Sequence, residues 1–205
     1  MSADQVSAPL PPPARVGAEQ PAAPVLNVAN YLTIARIALV PVFVALFFVD
    51  GAHSSGWRVA AWAAFAIASV TDRIDGDIAR RRGLVTDFGK VADPIADKAL
   101  IGAALVSLSI VDELPWWVTV VILAREVGVT GLRFWVIRLG VIPASRGGKV
   151  KTLLQGIGLG LYVLPLSGWL HDVAVGVMAV ALVVTLVTGG DYVFRALAVR
   201  RAGRA

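Results

Sequence analysis

The chain has 205 residues, of which 57% are hydrophobic, and a mean hydropathy of +0.75, more apolar than soluble domains of this length usually are, so an integral membrane protein is expected. A formal charge of +5 and pI near 10.1 would suit a nucleic-acid partner, but the basic residues fall where membrane topology demands them and the sequence offers no aromatic-studded basic surface, so no nucleic-acid partner is expected. Cysteine is absent, which removes disulfides, thiolate metal sites and cysteine nucleophiles.

Residues 1–26 are rich in Pro and Ala, with Pro11, Pro12 and Pro13 in a row, and cannot bury a core. A flexible tail without a cleavable signal peptide is expected there. A membrane domain follows over 27–197. It carries six apolar stretches near 30–50, 57–80, 90–111, 115–138, 150–169 and 173–195, each close to the ~20 residues that cross hydrocarbon. Residues 198–205 form a short basic tail. The expected fold class is an all-α integral membrane protein with six transmembrane helices. Retained Lys and Arg mark cytoplasmic loops. Arg80, Arg81, Arg82 and Lys90 flank one junction, Arg138, Arg146, Lys149 and Lys151 the next, and Arg195, Arg200, Arg201 and Arg204 the C-terminus. The intervening loops hold His53, Asp112, Glu113, His171 and Asp172, with Arg58 as the one nearby base. Both termini are therefore expected in the cytoplasm.

At the cytoplasmic ends of the second and third stretches stand four aspartates. On a helix, Asp72, Asp75, Gly76 and Ala79 share one face, and Gly89, Asp93 and Asp97 follow one another by four residues on the next helix. Ionised groups at a membrane edge are costly unless paired or holding a cation, and clustered like charges repel strongly. Hard oxygen donors of this kind suit Mg2+ or Mn2+. The glycines admit a bulky group near the backbone, and Arg80 supplies a fixed positive charge, so a metal-bound diphosphate fits the set. The plainer reading is a salt-bridge network with Arg73, Arg80 and Lys98. For Gly76, Ala79 and Gly89 the plainer reading is close helix packing, and for Arg80 a cytoplasmic anchor.

The pattern D-x-x-D-G-x-x-A-R, eight residues, G-x-x-x-D-x-x-x-D resembles the signature of the CDP-alcohol phosphatidyltransferase family, with every defining position present. The resemblance implies transfer of a phosphatidyl group from a CMP-linked lipid, CDP-diacylglycerol, to an alcohol, in a polar cavity facing the cytoplasm, with CMP leaving. It implies two divalent ions. Asp72, Asp75 and Asp93 match the principal ligands, and Asp97 the general base and a further ligand. Gly76, Ala79 and Gly89 match a shallow cytidine site and Arg80 a donor-phosphate contact. It also implies a homodimer in the bacterial inner membrane.

Further stretches resemble the branch of bacterial phosphatidylglycerophosphate synthases. They are NVANYLTIARIALVPVF from Asn27, with Thr33 and Arg36 at matching positions, then FGKVADPIADK, REVGVTGLR from Arg125, and SRGGKVKTLLQ from Ser145. This implies glycerol 3-phosphate as acceptor, held by a cationic pocket of Arg125, Arg133, Lys149 and Lys151, completed by Thr33 and Arg36, with Glu126 orienting a neighbouring base. Lys149 and Lys151 also serve topology. Arg73 and Asp77 depart from the commoner pattern without occupying defining positions. Phosphatidylinositol-phosphate synthases share a basic acceptor pocket and remain an alternative. A cation transporter is a rival of another class, weakened because the acids bunch at one membrane edge.

Overall fold

The computed structural model describes residues 28–82, 86–136 and 146–202. They form six helices: α1 (Val28–Phe48), α2 (Ser55–Arg82), α3 (Asp87–Ile110), α4 (Trp116–Val136), α5 (Arg146–Val163) and α6 (Trp169–Ala202). The expected tail over 1–26 lies outside the described residues. So do the side chains at positions 75, 79, 80, 133 and 149 and the surroundings of position 76.

Each apolar stretch became a helix, and the local chemistry explains most of the ends. Thr86, extended at φ −106°, caps α3: its hydroxyl accepts the Gly89 N–H at 3.0 Å, a contact worth about 1 kcal/mol. Between α1 and α2 the chain reverses through a 3-10 turn, Val49–Ala52, with Asp50, Gly51 and Ala52 all at positive φ. Helix α5 stops at Val163, short of the expected 169, because Pro165 has no N–H to donate and disfavours helical geometry at the residue before it. Helix α6 starts at Trp169, after Gly168 at φ 58°, and continues to Ala202, into the stretch expected to be a tail.

Helix α3 is the centre of the packing and meets α1, α2, α4 and α5; α1 also packs on α2, and α6 on α4 and α5. Its buried stripe Ala92, Ala96, Leu100, Ala104 and Leu108 advances by four residues, the spacing that keeps one helical face turned inward. Phe43, Phe47 and Phe65 pack beside it with neighbouring ring centroids 5.9 Å apart. Ser109 and Thr119 hydrogen-bond at 2.7 Å between α3 and α4 within this apolar half.

Large apolar side chains face outward along the bundle, among them Ile37, Ile67, Val127, Val183 and Val187, while Asn30, Thr33, Arg36, Lys151 and Gln155 are buried. Polar groups turned inward beneath an apolar exterior are the arrangement a hydrocarbon solvent favours. Among the described residues, two helices, over Asn30–Ala52 and Trp169–Ala198, are long and apolar enough to cross a membrane, and Val150–Val163 is a shorter apolar helix.

One end of the bundle is tied by Arg58. Its guanidinium grips both carboxylate oxygens of Glu113, donates to the Tyr162 and Val163 carbonyls at 2.7 and 3.0 Å, and lies 5.5 Å from the Phe47 ring centroid. The turns joining α1 to α2, α3 to α4 and α5 to α6 thus meet at the same end. Exposed Trp57, Trp116, Trp117 and Trp169 cluster at that level, as aromatic residues do where membrane meets water.

Candidate active site

The opposite half of the bundle gathers the polar residues. From α1, Arg36 is 1% exposed, and its Nη1 lies 2.6 Å from Asp72 Oδ1 on α2. Three residues earlier, the Thr33 hydroxyl donates to Asp93 Oδ1 on α3 at 2.5 Å. One turn further back, Asn30 Oδ1 accepts from the Thr86 hydroxyl at 2.9 Å. Thr33 and Arg36 were expected in the acceptor pocket, yet these contacts tie them to the two aspartates.

Gly89 is buried between those groups. A Cβ there would stand 3.1 Å from Asn30 Oδ1 and 3.3 Å from Thr86 Oγ1, so the close approach of α1 to the first turn of α3 needs a residue without a side chain. Helix packing is therefore one demonstrable use of this glycine.

Asp97, one turn beyond Asp93, is half-buried and lies within charge–charge reach of Asp72, Lys151, Glu126 and Arg36. Residues of α1, α2, α4 and α5 therefore converge on a single carboxylate of α3. Neighbouring Lys98 donates to Thr130 on α4.

Between α4 and α5, Glu126 Oε1 accepts from both Lys151 Nζ and Arg125 Nη1, the latter at 3.2 Å. Lys151 is 5% exposed. Arg125 also donates to the Thr188 hydroxyl at 3.0 Å and lies across α6 at Gly189, where a Cβ would come within 3.0 Å of Arg125 Cγ. Deeper between α5 and α6, Gln155 donates to Thr185 at 3.1 Å. The sequence reading missed Thr86, Thr185, Thr188 and Gly189. Thr86 carried a signal, a Thr just before a helix start, whereas Thr188 and Gly189 are isolated residues in an apolar helix.

The donor set fits a divalent ion. Asp72 of α2 pairs with Arg36 and Asp93 of α3 accepts from Thr33, so α1 contacts a carboxylate of each helix, and hard oxygens of this type suit divalent cations. Among the described residues no three acids form a ready cluster around one point. The side chain of Asp75, three residues along α2 from Asp72, lies outside the description.

Residues 26–187 match the CDP-alcohol phosphatidyltransferase family. The chain is 59% identical over 173 residues to a Mycobacterium tuberculosis (strain CDC 1551 / Oshkosh) protein named "Probable phosphatidylglycerophosphate synthase", covering 84% of this chain and 83% of that one. It is 41% identical over 174 residues to a Rickettsia felis protein named CDP-diacylglycerol--glycerol-3-phosphate 3-phosphatidyltransferase, covering 81% and 93%. A Bacillus subtilis protein of the same name is 39% identical over 184 residues, again covering 81% and 93%. With the signature aspartates on adjoining helices and the match running from the start of α1 into α6, this chain belongs to the CDP-alcohol phosphatidyltransferase family.

Proposed function

We propose that this protein transfers the phosphatidyl group of CDP-diacylglycerol to glycerol 3-phosphate, releasing CMP and forming phosphatidylglycerophosphate. One observation carries the reading: the Arg36–Asp72 pair and the Lys151–Glu126 pair both lie close enough to Asp97 for their charges to act on it. A donor diphosphate at the aspartates and an acceptor phosphate at the cations would meet there. The activity named for the relatives from Rickettsia and Bacillus supports it.

The acceptor's terminal hydroxyl attacks the phosphorus that carries diacylglycerol, and the anhydride bond to CMP breaks. Asp97 takes the hydroxyl proton, as the carboxylate on which the charges of both the Arg36–Asp72 and the Lys151–Glu126 pair act. Asp72, Asp75 and Asp93, with Asp97, would hold two divalent ions, Mg2+ or Mn2+, which when bound neutralise the diphosphate and stabilise departing CMP. Gly76, Ala79 and Gly89 flank the cytidine, and Arg80 meets donor phosphate. Arg125, Arg133, Lys149 and Lys151 receive the acceptor phosphate, with Glu126 keeping Arg125 and Lys151 side by side. The signature offers carboxylates and cations but no conspicuous nucleophile for a phosphatidyl-enzyme, so displacement is direct, with inversion at phosphorus.

The protein crosses the bacterial inner membrane six times as a homodimer, its cavity and both termini cytoplasmic. The apolar exterior and the tryptophans at the Arg58 end support this placement. The test supplies purified protein with CDP-diacylglycerol and either glycerol 3-phosphate or inositol phosphate and measures CMP. Release with glycerol 3-phosphate is expected; release with the inositol compound alone overturns the assignment. Asp93→Asn should abolish CMP release while leaving the melting temperature near that of the parent.

A further inference from the structure

We infer that α1 is a positioning element for the metal-binding carboxylates: Thr33 aims Asp93, Arg36 aims Asp72, and Asn30 anchors the helix start that carries Asp93. This rests on the functional reading above and reassigns Thr33 and Arg36 from the acceptor side of the site to the donor side.

Asn30, Thr33 and Arg36 are spaced by three residues and are all but fully buried, at 3%, 1% and 1% exposure. Buried polar side chains in an apolar helix cost free energy unless they meet a partner. Each one meets a group on α2 or on the α3 entry. The Thr33 hydroxyl gives Asp93 a short hydrogen bond of 2.5 Å, in the range for a hydroxyl on an ionised acceptor. Arg36 reaches Asp72 at 2.6 Å. Asn30 holds the Thr86 hydroxyl, which in turn caps the α3 N-terminus through Gly89 N–H. Asp93 accepts a hydrogen bond through Oδ1 and Asp72 is ion-paired through Oδ1, contacts that restrict the swing of each side chain.

A carboxylate free to rotate must be immobilised when a cation binds, and the entropy lost lowers affinity. Groups that orient a ligating side chain typically change metal affinity 10–100-fold when removed. Thr33 is the cleanest probe, because Val replaces its hydroxyl with a methyl of similar shape.

The experiment titrates Mn2+ into detergent-purified protein, without substrates, and follows free Mn2+ by electron paramagnetic resonance. Thr33→Val should weaken Mn2+ binding about tenfold or more, Thr33→Ser should restore it, and Asp93→Asn should abolish it. At saturating Mn2+, the KM of Thr33→Val for glycerol 3-phosphate should match the parent. Unchanged Mn2+ affinity in Thr33→Val, or a raised KM for glycerol 3-phosphate at saturating Mn2+, overturns the inference and leaves the functional reading intact. Parent protein whose Mn2+ binding survives Asp93→Asn overturns both. If Thr33→Val does not fold, Thr33→Ala takes its place, with the same hydroxyl lost and the same outcomes decisive.

Discussion

Arg58 shows how far a single residue's role can depart from its place in the chain. By sequence it is a stray base in a loop expected outside the cytoplasm, at odds with the positive-inside rule. In the fold it is buried and bonded to Glu113 and to two carbonyls at the end of α5, where the last carbonyls of a helix lack intrahelical donors. Its charge is therefore spent inside the protein rather than presented to lipid headgroups. Glu113 keeps access to water, so the main loss on removing Arg58 is the pair of buried carbonyls left without a donor, roughly 1–3 kcal/mol each. Arg58→Met should thus lower the thermal midpoint substantially, measured by tryptophan fluorescence in detergent, while the KM values of the surviving folded fraction stay put. Lys at this position should rescue little, since a point charge cannot span both carboxylate oxygens and two carbonyls.

At the scale of the element, α4 and α6 depend on each other through one glycine. Arg125 lies across α6 where Gly189 leaves room, and a methyl there would come 3.0 Å from Cγ and 3.2 Å from Nε. Gly189→Ala should push Arg125 off Thr188 and away from Glu126. The KM for glycerol 3-phosphate is then expected to rise about tenfold, equivalent to ~1.4 kcal/mol, with the KM for CDP-diacylglycerol unchanged. Equal changes in both constants would mean that α6 shifted as a whole. Helix α3 carries the opposite lesson. Its small inward residues, Ala92, Ala96 and Ala104, let four helices approach it closely, and this brings α1, α2, α4 and α5 within reach of Asp97.

The whole molecule is polarised along its length. The Arg58 knot and the exposed tryptophans occupy one end, and the aspartates with Lys151, Arg125 and Glu126 occupy the other half. Because the chain has no cysteine, topology can be read with single introduced thiols. Ser167→Cys, in the turn before α6, should react with a membrane-impermeant maleimide in intact cells, and Arg200→Cys, near the end of α6, only after permeabilisation. The reverse pattern would turn the proposed cavity away from the cytoplasm.

Much of this was legible in the residues. Six apolar stretches near the length of a membrane span became six helices, because hydrophobic length and helical backbone satisfaction are local properties. The eight-position signature placed Asp72 on one helix and Asp93 and Asp97 on the next for the same reason: helical spacing follows directly from the number of residues between them. Spacing cannot say which side chains face across to another helix. That Thr33 meets Asp93 sixty positions away, that Arg125 meets Thr188, and that Glu126 joins Arg125 to Lys151 depends on how helices rotate and cross, which packing of the complete bundle decides. Sequence alone therefore determined the helices and the family; tertiary structure decided that α1 serves the aspartates, because only the closed bundle brings these distant hydrogen-bond partners together.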